Sequence, residues 1–297
     1  MKKLIFSFFS FLICNMPLQA EIIKTVQIDE IVQSVTDDTL VLFNIAEVLM
    51  DTETSLGTQA WRKYIRSRLD SKDHDALSLF VFQNIPAKTP EPETASVVTY
   101  LQEQGFPVFA FTSRGRHEWY QTQIENIDIL TENALRQIGI DFSLNQLPPS
   151  LANLDLEFQD YFHAGIIYAT NSFEKGEILA KFLETTDYRP SKIVFVDDKA
   201  DSLKIVEEAM NALGISFTGY AYSRTAVDHA KFNPMIAHIQ LEWLLSNGQV
   251  LSDEEAKQIK EEQFSQTDPE DYFQEVMKKW HLIENKGYTQ TTSKPNF

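Results

Sequence analysis

"SKIVFVDDKADSLKIVEEAMNALGISFTGYAY", residues 191–222, joins an apolar, β-favouring run to a helical pattern over 199–213 and then to a second apolar run ending at Tyr222. A strand, a helix of roughly 10 to 15 residues and another strand predict a parallel crossover, since parallel neighbours need such a connection. The alternation continues upstream. "TLVLFN" (39–44), "FPVFAFTS" (106–113) and "AGIIYAT" (164–170) read as strands, and 174–185 reads as a helix. These strands are continuously apolar, so both faces of the sheet should be covered. The expected fold class is α/β, a Rossmannoid parallel sheet with helices on both faces.

Residues 22–36 have apolar spacing suited to an opening helix, and 58–85 and 116–139 also read as helical. "TPEPETASVVTYLQEQG" (89–105) offers Thr89 as an N-cap, Pro90 in the first turn and Gly105 as a stop. "QLPPSLANLD" (146–155) is a loop or subdomain edge. A helix over 234–247 follows, then a capping-box start at Ser252 with Glu255, and then a helix start at Asp268-Pro269. One domain over 21–250 is expected, with helical insertions near 58–85 and 116–162, C-terminal helices over 251–284 and a mobile tail over 285–297.

With 297 residues, 43% of them hydrophobic, the chain can bury a sizeable core. Its net charge of −17 excludes a nucleic-acid surface, which needs a basic footprint to neutralise phosphates. The first residues read as an export signal: Lys2 and Lys3, an apolar run from Leu4 to Cys14, then Pro17 and "LQA" with cleavage expected after Ala20. The run is too short to span a bilayer. Periplasmic or secreted protein is the expected product, without a membrane span after cleavage. Cys14 is the one cysteine, so cleavage would leave a mature chain with neither a disulfide nor thiolate chemistry.

In sheets of this kind, ligands sit outside the carboxyl ends of the strands. That rule selects Asn44, Thr112, Asp197 and Asp198. Each residue also has a plainer reading. Asp197, Asp198 and Asp201 at a strand-to-helix junction suit helix capping, yet together they make an oxygen-rich set for a hard cation. Lys175 opens a helix, where its charge opposes the dipole unless an anion or an acid holds it. Thr112 alone reads as a turn hydroxyl.

Taken together and in order, Asn44, Thr112, Lys175 and the Asp197-Asp198 pair resemble motifs one to four of the haloacid dehalogenase (HAD) superfamily. "LGTQAWRKY" (56–64), "KGEILAKFL" (175–183), the 192–222 stretch and "FNPMIAHIQ" (232–240) further resemble a family of secreted HAD-like proteins from intracellular Gram-negative bacteria. The resemblance covers about 40–247. It implies a HAD-like fold with a helical cap-like insertion and a Mg²⁺-dependent phosphohydrolase ancestry. In that chemistry the first strand ends in Asp-x-Asp, a nucleophile followed by an acid/base. A Thr and a Lys neutralise the phosphoryl oxygens, and the last acids hold the metal. Carried onto this chain, Thr112, Lys175, Asp197 and Asp198 match, with Asp201 in support. The nucleophile position is Asn44 and the acid/base position is Ala46.

An amide cannot form the aspartyl-phosphate, so covalent catalysis loses its attacking group. Ala46 removes a proton transfer typically worth about 10²- to 10⁴-fold in rate. Weak Mg²⁺ binding is expected at Asn44, the Ala46 carbonyl, Asp197, Asp198 and Asp201. The leading expectation is a pseudoenzyme that binds a phosphorylated small molecule or a protein partner. One alternative is an active phosphohydrolase with a relocated carboxylate, Glu47, Asp51 or Glu53, although Glu47 falls on the opposite strand parity from Asn44 and Ala46. Another is an interaction protein with an empty pocket, using the helical segments as its contact surface.

Overall fold

The structure is a computed structural model that describes residues 20–119, 122–123, 126–145, 147–154 and 158–284. Most of the stretch expected to be an export signal, Cys14 included, and the expected mobile tail beyond 284 lie outside the described residues. Seven strands make the central sheet: β1 (Ala20–Thr25), β2 (Thr39–Phe43), β3 (Val108–Thr112), β4 (Phe162–His163), β5 (Ile166–Tyr168), β6 (Lys192–Asp197) and β7 (Ser216–Tyr222). Their order is β1-β7-β6-β2-β3-β5-β4, and every pairing is parallel except the short antiparallel β4-β5 edge.

The sheet is mostly parallel because its strands are apolar on both faces. In β2, Leu40 and Leu42 enter one core while Val41 and Phe43 enter the other; β6 splits Ile193 and Phe195 from Val194 and Val196 in the same way. Each such side chain, fully buried, contributes roughly 1.5–3 kcal/mol relative to exposure. Helices over Lys175–Thr186 and Ala200–Ala212 cover one face, and the helix Thr94–Glu103 covers the other. The result is the expected α/β architecture, a Rossmann-like sheet between helical layers.

A separate cluster lies beyond the sheet. Trp61, Ile65, Leu77 and Phe80, from helices Gln59–Arg66 and Ser71–Asn84, pack with Leu241, Phe273, Met277 and Trp280 from helices Pro234–Asn247 and Pro269–Glu284. The 58–85 segment and the C-terminal helices thus share one core. Among the described residues, no helix is long and apolar enough to cross a membrane.

Three local expectations are corrected. Residues 22–36 are not one helix: Ala20–Thr25 is an edge strand on β7, followed by a short 3₁₀ helix over Ile28–Ser34. Residues 116–139 begin with a hairpin, Glu118–Trp119 against Thr122–Gln123, and the helix starts only at Ile127. The 89–105 helix starts at Thr94 rather than just after Thr89. The turn before it buries Glu91, whose carboxylate accepts from the Ile28 backbone N–H at 2.8 Å and the Tyr222 hydroxyl at 2.6 Å.

Candidate functional site

Asn44 follows β2 directly, and its N–H still donates to the Val196 carbonyl at 2.8 Å, so the sheet fixes its backbone. Its buried side chain is a hub. Nδ2 donates to Asp198 Oδ1 and to the Ala46 carbonyl, each at 2.9 Å, while Oδ1 accepts from Lys175 Nζ at 3.2 Å.

Lys175 is buried at the first turn of its helix. That helix lies close to the 200–212 helix because residue 176 is glycine: a Cβ there would stand 2.7 Å from the Ile205 carbonyl oxygen. Burial lowers the Lys175 pKa, and the neighbouring Asp197 charge opposes that shift. The ammonium donates to Asp197 Oδ2 at 2.6 Å and sits 4.8 Å from the Phe195 ring centre and 5.2 Å from that of Phe111, within cation–π range. Asp197, the last residue of β6, is fully buried and accepts the Lys199 backbone N–H on its other oxygen at 2.9 Å. Asp198 accepts from Gln59 Nε2 at 3.1 Å. Burial, then the adjacent Asp197 charge, pushes the Asp198 carboxyl up to about 7.

Each oxygen of Asp197 and Asp198 therefore has a donor supplied by the chain. The orientation of the Asn44 amide follows from its partners. Turned over, its oxygen would face two other oxygens and its NH₂ would face the Lys175 ammonium. A divalent cation among Asn44, Ala46 and Asp198 needs that turned-over oxygen, so Lys175 and the cation compete for the single acceptor an amide offers. A carboxylate could serve both. The residues present fit an amide-centred network better than a Mg²⁺ site.

Thr112, at the end of β3, is buried, and its hydroxyl accepts the Arg114 N–H at 3.1 Å. Asn44, Ala46, Thr112 and Asp198 all line one cleft of about 1410 Å³ at the carboxyl edge of the sheet. Asp201 does not: its side chain is 91% exposed and stands 3.7 Å from Lys204. Glu47 and Asp51 line the cleft and are buried, whereas Glu53 is exposed and lies outside it.

The sequence reading missed three contributors. Gln59 reaches Asp198 from a helix capped by Thr58. Arg62, from the same helix, pairs with Glu47 at 2.7 Å. Arg114 enters the cleft wall with its guanidinium over Phe82 and Trp119, which stack at 4.8 Å. "LGTQAWRKY" does hold Gln59 and Arg62, but nothing in its spacing tells which face meets the sheet edge. The described cleft lining carries Arg62, Lys63, Arg66, Arg114, Arg136 and Lys199 against Glu47, Asp51 and Asp198. Arg62 is paired with Glu47, and Arg136 with Glu132 and Asp141, which stand outside the lining, so the formal excess of cations is partly neutralised.

Fold and site define an α/β protein with a charge-rich cleft at the carboxyl edge of a Rossmann-like sheet. The chain belongs to the family described as "Protein of unknown function (DUF2608)", whose model matches residues 22–257. It is 23% identical over 208 residues to a protein of Chlamydia trachomatis serovar D named "Putative outer membrane protein", an alignment covering 67% of this chain and 74% of that one. No solved structure is a significant match.

Proposed function

We propose that this chain is an exported HAD-like protein of phosphatase ancestry that binds a phosphorylated or similarly anionic ligand in the cleft without hydrolysing it. The observation that carries this reading is the Asn44 amide. Its NH₂ lies 2.9 Å from both Asp198 Oδ1 and the Ala46 carbonyl, so a hydrogen-bond donor occupies the ground between groups that would otherwise face a cation. No nucleophilic oxygen stands at that strand end, and Ala46 offers no proton. The cations of the cleft wall supply the attraction for an anion. Export is supported by the N-terminal signal pattern and by the name of the chlamydial relative.

The test pairs turnover with binding. The purified protein should hydrolyse no member of a broad phosphomonoester panel with Mg²⁺, and anionic members of that panel should raise its melting temperature. Arg114→Met should reduce that rise. Mg²⁺-dependent turnover lost on Lys175→Ala would overturn the reading.

A second reading has one specific observation in its favour. Glu47 adopts a left-handed backbone, φ 67°, and this turn brings its carboxylate to the cleft despite its strand parity. Turnover in the wild type that disappears in Glu47→Gln or Asp51→Asn would favour a relocated carboxylate.

A further inference from the structure

Glu47 and Asp51 stand on the loop that leaves β2, and His229 follows the short helix Arg224–Asp228. Glu47 N–H donates to the Met50 carbonyl at 2.9 Å and closes the loop, and the buried Thr225 hydroxyl donates to the Glu47 carbonyl at 3.3 Å and ties the loop to the helix. The three side chains converge. His229 Nε2 lies 3.0 Å from Asp51 Oδ2, and Nδ1 lies 3.9 Å from Glu47 Oε2. One ligating atom from each residue falls within 4.8 Å of the others.

The way each carboxylate is held separates this cluster from a chance gathering of charge. Glu47 gives Oε1 to Arg62 at 2.7 Å and turns Oε2 toward the imidazole. Asp51 accepts the Thr52 N–H on Oδ1 at 2.8 Å and turns Oδ2 toward the same ring. Each acid thus has one oxygen anchored by a protein donor and the other turned to the imidazole, Asp51 to Nε2 and Glu47 to Nδ1, as outer partners orient the ligands of a metal. Both acids are buried, and the His229 side chain is 16% exposed.

We infer that Glu47, Asp51 and His229 form a transition-metal site, with Zn²⁺ as the ion it suits. Two carboxylate oxygens and one imidazole nitrogen match zinc, whereas Mg²⁺ prefers an all-oxygen shell. Ligands about 2.0–2.2 Å from an ion stand roughly 3–4 Å apart; the three ligating atoms lie within 4.8 Å of one another, so an ion would take one ring nitrogen and draw the two carboxylate oxygens toward it. Three protein ligands leave a fourth position for water or an anionic group, and two of the three, Glu47 and Asp51, line the cleft. The site is independent of the Asn44 network and stands whether or not the cleft once hydrolysed phosphate.

The test is titration of the purified protein with Zn²⁺ by calorimetry, with Co²⁺ as a spectroscopic stand-in. Binding of one ion at this site, a higher melting temperature with Zn²⁺ and a visible Co²⁺ band are expected. His229→Gln should weaken Zn²⁺ binding by at least 100-fold, and Asp51→Asn should weaken it with the circular dichroism spectrum unchanged. A partly exposed triplet, Asp73, His281 and Glu284, provides the control, and His281→Ala should leave binding intact. The inference is overturned if the wild type shows neither a saturable Zn²⁺ isotherm nor a Co²⁺ band, which would make the cluster an ion-pair network alone. It is equally overturned if Zn²⁺ binding is undiminished in Asp51→Asn or in a folded His229→Gln, or if it is lost in His281→Ala. Should His229→Gln fail to fold, the Asp51→Asn and His281→Ala pair decides the matter.

Discussion

The Asn44 amide nitrogen and the Asp198 carboxylate meet at 2.9 Å across 154 residues of chain, tying the end of β2 to the end of β6. The contact makes a sharp prediction for Asn44→Asp. The new carboxylate still accepts from Lys175, but its second oxygen then faces Asp198 Oδ1 and the Ala46 carbonyl with no proton between them. Stability at pH 8 in a chelator should fall by about 3 kcal/mol, the scale of an uncompensated buried charge. Millimolar Mg²⁺ should return part of it, because an ion can then take the place of the lost NH₂. Urea unfolding with and without Mg²⁺ measures both effects, and a variant as stable as wild type in chelator would refute the assigned role of the amide.

Lys175 and Asp197 form a buried pair at 2.6 Å, with side chains 1% and 0% exposed. Lys175→Met should cost about 3–5 kcal/mol, since it strands the Asp197 charge. Lys175→Met combined with Asp197→Asn should recover most of that loss, because the charge is removed and the amide oxygen can still accept the Lys199 N–H. A double-mutant cycle in denaturant should therefore give a coupling energy above about 1 kcal/mol. Additive losses would mean that packing, not charge, holds Lys175 in place.

Two groups, buried His238 and partly buried Asp198, should pull the pH dependence of stability in opposite directions. Burial pushes His238 down to about 4, below its ordinary value, so between pH 6.5 and 4 the unfolded chain binds the extra proton and stability is lost on acidification. Asp198, pushed up to about 7 by burial and Asp197, takes its proton in the folded state first, so stability is gained as pH falls through 7. Each contribution is on the order of 3 kcal/mol at its limit, and in the wild type they largely cancel. His238→Phe should therefore grow relatively more stable from pH 7 to 5, and Asp198→Asn relatively less. Parallel pH profiles for both variants and wild type would contradict these assignments.

The central strands were legible because burial on both faces leaves β2, β3 and β6 as unbroken apolar runs, and the rule for ligands at strand ends then selected Asn44, Thr112 and Asp197. β1 was not legible. Its Ile22 and Ile23 belong locally to a helix-like spacing that runs on through Ile28 and Ile31, and only pairing with β7, from Ala20 against Phe217 onward, makes a strand of it. Glu47 reads as a candidate relocated carboxylate, but its strand parity points it away from the cleft. Strand parity ends where the strand ends, and a left-handed residue just beyond re-aims the side chain. His229 carries no local signal, since its partners Asp51 and Glu47 are brought to it by the fold.

The proposed ancestry is tested most directly by restoring two acids. Ala46 is partly exposed on the cleft wall beside Asn44, so an aspartate there would face the cleft. Asn44→Asp with Ala46→Asp would return an attacking carboxylate and a proton shuttle to an edge that already holds Thr112, Lys175, Asp197 and Asp198. Phosphatase activity should appear with Mg²⁺, and each single change should do less, because a nucleophile without its acid/base partner completes neither half-reaction well. Lys175→Ala in the restored background should remove the gain. The measurement is release of phosphate from a phosphomonoester panel, with melting temperature recorded in chelator and in Mg²⁺. A folded double variant with neither turnover nor stabilisation by Mg²⁺ would remove phosphatase ancestry as the explanation of this strand edge. The Asn44 network would then stand as a structural tie between β2, β6 and the helix that begins at Lys175.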